Sequence, residues 1–279
     1  MNHVTRPASH FVVAVAEIAT LGELPYGEED DDEVIARLKH GRPPSFPSEC
    51  AAGLEQVMRS CWRSNRAARP TAATVHAELL HAMQQATPSD AWLPANVLRD
   101  LSIEASMRSD AGDAAIDVVS AGFMRNFEQT QLRESDLTLQ RELGRGAFGV
   151  VSLGLLMRAS GSSVKVAVKS VDGGDPEEQQ KAIVEAKLHF ALQHSNIVAF
   201  VGYAMTADGM LTVLELMDGD LQRFLRKHRE RDILTSEELR DMTVQVAGAM
   251  AFLEERRIVH RDLAARSGRF VSTIRLNSI

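Results

Sequence analysis

The stretch His260-Arg261-Asp262-Leu263-Ala264-Ala265-Arg266 (HRDLAAR) decides the reading of this chain. Immediately upstream, Thr235 and Glu238 form a capping box, the reciprocal pairing that opens a helix. Leu239, Met242, Val246, Met250 and Leu253 then recur at helical spacing, so a long amphipathic helix leads directly into His260. Further upstream, "LELMDGDLQRFLRKH" reads as the end of a strand followed by a short helix. Downstream the pattern stops. Ser267 follows Arg266, and the remaining residues, "SGRFVSTIRLNSI", contain no Asp-Phe-Gly.

Two other motifs precede the loop in order. Gly144, Gly146 and Gly149 form a G-x-G-x-x-G, with Arg145, Ala147 and Phe148 between them and Val150 and Val151 after them. That spacing also occurs at a dinucleotide-binding turn, which opens a helix. Here the flanks "LTLQREL" and "VVSLGLL" follow or approach period two, which predicts a hairpin. Glycines at such a tip let the backbone close over phosphates with no Cβ in the way. Next, "KVAVK" is a strand ending in Lys169, whose ammonium needs an acidic partner or an anionic ligand if it is partly buried. Glu185 is the expected partner. Its helix is announced by Asp175 as N-cap, Pro176 at the first helical position and Glu178 closing a capping box, with Ile183, Val184 and Leu188 as the expected apolar stripe. "HSNIVAFVGY" and "MLTVLELM" supply two more strands, giving five in all.

Glycine loop, Lys169, Glu185 and HRDLAAR, in this order, resemble the protein kinase family, and Ala264-Ala265-Arg266 is the tyrosine-kinase form of the loop. The loop looks receptor-type, and the hinge "LELMDGDLQRFLR" is similar to that of the anaplastic lymphoma kinase group. The resemblance implies an α+β fold: a five-stranded antiparallel sheet with one helix, followed by an incomplete helical lobe. It also implies roles. Leu143 and Val151 would enclose the adenine of ATP with Ala167 beside them, and Gly144 to Gly149 would cover the phosphates. Lys169, held by Glu185, would grip the α- and β-phosphates. Leu214 takes the gatekeeper position, with the backbone of Glu215 and Met217 at the adenine edge. Asp262 would accept the proton of the attacking hydroxyl and Arg266 would orient it. ATP and Mg²⁺ are the cofactors so implied, and proteins bearing tyrosine the substrates. Both family metal ligands are missing, since Ser267 replaces the loop Asn and Asp-Phe-Gly does not occur, so no metal ligand is assigned.

The front of the chain also resembles a tyrosine kinase, but its far end. Phe11 to Thr20 matches the buried central helix, Leu21, Gly22, Pro25 and Tyr26 a "TLGxxPY" turn, and Cys61-Trp62 with Arg69-Pro70-Thr71 the close of the domain. Gly41 is expected to end one helix, and Thr71 to start the last, with Val75, Leu79 and Met83 on one face. Trp62 is expected in the core. The Glu of Ala-Pro-Glu that Arg69 meets in the family is not in the sequence. The expected organisation is therefore 11–85 as the end of one kinase lobe, 86–135 as linker with weak helical periodicity in "NVLRDLSIEASM" and "DAAIDVVSAGFMRNF", 136–266 as the beginning of another kinase, and 267–279 as a tail unrelated to kinases. A tandem-kinase gene, incompletely or wrongly joined, explains that order. The N-terminal helices are expected to dock on the stripe from Leu239 to Leu253, because exposed apolar faces of that size attract cover.

Composition narrows the alternatives. The 279 residues are 44% hydrophobic and 25% charged, as in ordinary globular chains, and the net charge of −7 offers no footprint for nucleic acid. Two cysteines make no disulfide framework, which suits a reducing, cytoplasmic setting, including the cytoplasmic part of a receptor. No apolar run is long enough to span a bilayer, and the N-terminus makes a poor signal peptide. No C-x-x-C or H-E-x-x-H spacing suggests zinc. Three functional readings stand: a tyrosine kinase by descent, inactive as written; a nucleotide-binding or interaction-only pseudokinase; and an incomplete gene-model fragment that does not fold alone.

Overall fold

A computed structural model describes residues 8–27, 29–40, 54–63, 65–84, 121–146, 149–171, 176–229, 234–260, 263–270 and 274–276. The chain divides into two units, one of Met1–Ala115 with Gly219–Arg275 and one of Ile116–Asp218 with Leu276–Ile279.

The second unit is built on a six-stranded sheet in the order β1-β5-β6-β4-β3-β2. Its strands are β1 (Gln131–Leu132), β2 (Leu137–Gly146), β3 (Gly149–Met157), β4 (Ser163–Ser170), β5 (Phe200–Thr206) and β6 (Gly209–Glu215). The five expected strands, β2 to β6, pair antiparallel throughout. The sixth, β1, pairs parallel with β5 and makes the sheet mixed. Two residues carry no period-two pattern, so nothing in the sequence signals that strand. The β-branched residues of "KVAVK" alternate as a strand requires. Val166 and Val168 are buried with Leu156 and Val213 on one side, which turns Ala167 and Lys169 to the other.

Among the described residues two α-helices belong to this unit, α5 (Ala121–Glu128) and α6 (Pro176–Ala191). Residues 121–132, which the sequence reading gives to the linker, thus form a helix and a strand within the sheet unit. The expected stripe of α6 holds in part, with Ile183 and Leu188 half-buried. Val184 is 55% exposed, whereas Ala182, Ala186 and His189 are buried, with Ile183 and Phe190 partly so. The small side chains of Ala182 and Ala186 are what allow close approach, and a search for large apolar residues passes over them. Asp175, the expected N-cap, lies outside the described residues.

The first unit is helical. Its helices are α1 (Ala8–Ala19), α2 (Asp31–Lys39), α3 (Leu54–Cys61), α4 (Ala72–Gln84), α7 (Leu221–Arg229) and α8 (Ser236–Glu255). In α1, Phe11, Ala14, Val15, Ala16, Glu17 and Ile18 are each no more than 2% exposed, as befits a helix surrounded by others. It packs on α3, α7 and α8, and α4 lies along α8. The expected seat of the N-terminal helices on Leu239 to Leu253 is therefore present, with Met242, Val246, Met250 and Leu253 buried and Leu239 half-buried. Glu254 of α8 secures α4 across 182 residues of sequence. Its carboxylate accepts hydrogen bonds from the first amides of α4, Ala72 N at 2.7 Å and Ala73 N at 3.3 Å, where helix amides have no internal partner. Thr235 and Glu238 form the predicted capping box. After α1, Leu21 and Gly22 turn the chain with φ of 53° and 85°. The Gly22 carbonyl accepts from Arg226 Nε at 3.0 Å.

Thr71 caps α4 as expected, its hydroxyl accepting from Thr74 N at 3.1 Å, and Val75 and Leu79 are buried. Trp62 is half-buried rather than core, its ring 6.0 Å from that of Tyr26. Arg69 Nε donates to the Arg63 carbonyl at 2.7 Å. Gly41 and the side chain of Met83 lie outside the described residues. Part of the expected tail, Gly268–Phe270, forms β8 and pairs antiparallel with β7 (Gly219–Asp220).

Candidate functional site

In the sheet unit, cross-strand register places the candidate side chains. Val151 lies opposite Gly144 and Lys169, Ala167 opposite Leu214, and Lys169 opposite Thr212. Directly paired residues share a face, so Val151, Ala167, Lys169 and Leu214 line one side of the sheet. Val150 points to the other side and is 7% exposed, so only its backbone could serve a ligand on the Lys169 face. Leu143 is 40% exposed on β2, where bulges at Leu139/Glu142 and Glu142/Gly144 break the register. Arg145 is exposed and pairs with Glu142 at 3.2 Å.

The hairpin tip is where glycine is required. Gly149 has φ of 109°, and a Cβ there would fall 2.1 Å from the Ser170 carbonyl oxygen. Gly146 pairs with Gly149 across the tip. Ala147 and Phe148 lie outside the described residues.

Lys169 and Glu185 meet as the sequence predicts. Nζ lies 2.5 Å from Oε1, with the lysine side chain 18% and the glutamate side chain 32% exposed. At the far end of β6, Leu214 is buried, the Glu215 N–H donates to the Ala199 carbonyl at 3.0 Å, and the Glu215 carboxylate accepts from Ala199 N at 2.6 Å. Met217 is half-buried just beyond.

His189, on α6, adds a titratable group to this unit. It is buried, and its Nε2 lies 2.7 Å from the Val198 carbonyl. Desolvation pushes its pKa below the ordinary imidazole value, aided by Lys169 and opposed by the Val198 bond and Glu215. The unfolded chain takes up a proton near pH 6.5 while the folded chain resists it. The sheet unit is therefore expected to lose stability as pH falls below about 6.5. Denaturant midpoints at pH 7.5 and 5.5, compared with those of His189→Gln, check this. The variant should have the shallower pH dependence.

In the helical unit, the loop after α8 is buried: His260, Leu263, Ala264 and Ala265 are at most 5% exposed. Ala265–Ser267 forms a single 3₁₀ turn. Asp262 and the side chain of Arg266 lie outside the described residues. The sequence reading missed the residue that holds this loop. Glu17, 1% exposed on α1, accepts a hydrogen bond from Ala265 N at 2.5 Å. The available signal was one carboxylate inside an otherwise apolar helix, because a buried charge implies a donor opposite it.

The cofactors fit unequally. The glycine tip and the Lys169–Glu185 pair suit an anionic nucleotide. The donor set for a divalent cation departs from the family's, since Ser267 stands at the Asn position.

The sheet with its paired lysine in one unit, and the buried loop after α8 in the other, are features of a kinase-type fold, and comparison with known proteins agrees. The family described as protein tyrosine and serine/threonine kinase matches residues 9–79 and 137–267. Three curated relatives are each 34% identical: the BDNF/NT-3 growth factors receptor of Gallus gallus, Ephrin type-A receptor 3 of Danio rerio and Tyrosine-protein kinase TXK of Homo sapiens. The alignments cover 49%, 52% and 53% of this chain and 18%, 15% and 27% of those relatives. The chain belongs to the protein kinase family, on its tyrosine-kinase side.

Proposed function

We propose that this chain is a nucleotide-binding tyrosine kinase relative whose 279 residues do not transfer phosphate on their own. The observation that carries nucleotide binding is the Lys169–Glu185 pair at 2.5 Å on the face that also holds Val151, Ala167 and Leu214. Those residues would hold ATP, with Lys169 against the α- and β-phosphates and the backbone at Glu215 and Met217 at the adenine edge. Asp262 and Arg266 are the proposed base and orienting residue for a tyrosine hydroxyl. Kinases use Mg²⁺ to neutralise charge developing on the transferred phosphoryl group. The Ser267 hydroxyl is a weak substitute for an Asn carbonyl there, so no phosphotransfer step is derived for these residues. The cytoplasmic side of a membrane, or the cytosol, is the setting this reading requires.

The organisation that fits this reading is a permuted lobe. Segment 11–85 supplies helices that follow the catalytic loop in the family, and here they pack on α8, which precedes that loop.

Titration with ADP or a fluorescent ATP analogue tests the binding claim. Lys169→Met is expected to weaken affinity about tenfold or more, the cost of losing a charged phosphate contact. Peptide phosphorylation should not rise above that of Asp262→Asn. Robust tyrosine phosphorylation that Asp262→Asn abolishes would overturn the proposed inactivity. Equal affinity in the wild type and Lys169→Met would overturn the assigned site.

A further inference from the structure

The helix α5 and strand β1 lie outside the residues matched by the family, which resume at 137. They are nonetheless built into the sheet unit. Phe127 is 3% exposed and stacks on Tyr203, ring centroids 4.7 Å apart and planes 6° from parallel. It also meets Phe190 edge-on at 5.7 Å, and Phe123 meets Phe190 at 5.4 Å. Tyr203 N donates to the Thr130 carbonyl at 3.3 Å. The sheet leaves room for this approach at one residue: a Cβ on Gly202 would lie 2.5 Å from the Thr130 carbonyl oxygen and 3.0 Å from the Leu132 side chain.

These contacts converge on α6. Phe127 shares a buried cluster with Ala182, Ala186, Tyr203 and Met210, with Ile183 and Phe190 packed against it. The helix is tied independently near its start, where Gln179 Oε1 accepts from Met210 N at 3.1 Å. Glu185 lies between the two anchors, one turn from Ala182 and beside Ala186. A helix held at one end pivots about that end, so the second anchor decides where Glu185 stands relative to Lys169.

We propose that Phe127 is a positioning residue for the Lys169–Glu185 pair, with α5 and β1 forming a strap that fixes the register of α6 on the sheet. The proposal rests on the reading of that pair as the phosphate grip, but its test does not need nucleotide.

The test compares wild type, Phe127→Ala, Phe127→Leu and Glu185→Gln in the full chain. Lys169 acylation by an N-hydroxysuccinimide ester is followed by mass spectrometry, with Lys165 on the same strand as reference, and amide exchange is read over 150–170 and 176–191. In Phe127→Ala the Lys169 rate is expected to rise about threefold or more toward that of Glu185→Gln, as α6 samples displaced positions. Lys165 and the β3–β4 amides should keep their wild-type behaviour, and Phe127→Leu should recover most of the effect. An unchanged Lys169 rate overturns the proposal. So does loss of β3–β4 protection in step with α6, which makes Phe127 a general core residue. If Phe127→Ala does not fold, Phe127→Val, which also removes the ring but leaves a smaller void, takes its place on the same criteria. Altered Lys169 reactivity together with no nucleotide binding in any variant would uphold the strap while removing the phosphate-grip reading.

Discussion

Glu17→Ala is expected to destabilise the helical unit by about 2–4 kcal/mol, combining a stranded buried donor with a void. Glu17 is 1% exposed in the middle of α1, and its carboxylate accepts the Ala265 N–H at 2.5 Å. Truncation leaves that amide buried without its acceptor, and the neighbouring helices α3, α7 and α8 can close over the space only in part. Two further substitutions separate the causes. Glu17→Gln keeps an acceptor oxygen of similar reach and should cost about 1 kcal/mol. Glu17→Met fills the space without an acceptor and should fall between the other two. Urea unfolding followed by Trp62 fluorescence in a Trp92→Phe background reads the helical unit, because Trp62 is half-buried against Tyr26 within it. Amide exchange at 263–267 reads the loop itself. A Glu17→Ala midpoint within about 0.5 kcal/mol of wild type would show that the bond does not hold the loop.

That bond shows where sequence reasoning ran short. Local chemistry was legible wherever it was complete within a few residues. The capping box at Thr235 and Glu238 and the strand ending at Lys169 follow from side-chain chemistry and period alone. The Lys169–Glu185 pair was legible for a different reason, since the family pattern names both partners. Glu17 and Ala265 are 248 residues apart, and no local rule connects them. Of the strap, α5 was partly legible, since "DAAIDVVSAGFMRNF" carries a weak helical periodicity over it, whereas the two extended residues of β1 fall below what periodicity can resolve. The buried face of α6 centres on Ala182 and Ala186, with Ile183 and Leu188 only partly buried and Val184 exposed, because burial there follows shape rather than side-chain size. Val150 follows the glycine motif in sequence, yet the pleat turns its side chain to the face opposite Lys169.

The three glycines of G-x-G-x-x-G are equivalent as a motif and unequal in the structure, and this gives the second large effect. Gly149→Ala is expected to cost about 2–4 kcal/mol of sheet-unit stability, from a left-handed backbone imposed on an L-residue plus a clash with main chain. At φ of 109° the new Cβ would lie 2.1 Å from the Ser170 carbonyl oxygen and 3.1 Å from its carbon, so the β3–β4 pairing at Val150 and Ser170 must open. No side-chain rotation relieves a contact with backbone. Gly144→Ala meets nothing within 4 Å and has no positive φ, so it should leave stability within about 0.5 kcal/mol of wild type. The pair also separates fold from ligand. If the motif serves only the hairpin, nucleotide affinity should follow stability, falling in Gly149→Ala and holding in Gly144→Ala. A Gly144→Ala chain of unchanged stability and weakened nucleotide binding would place the nucleotide against the β2 backbone at Gly144. Equal thermal midpoints for the two variants would contradict the steric argument, because the carbonyl of Ser170 would then have moved aside at no cost.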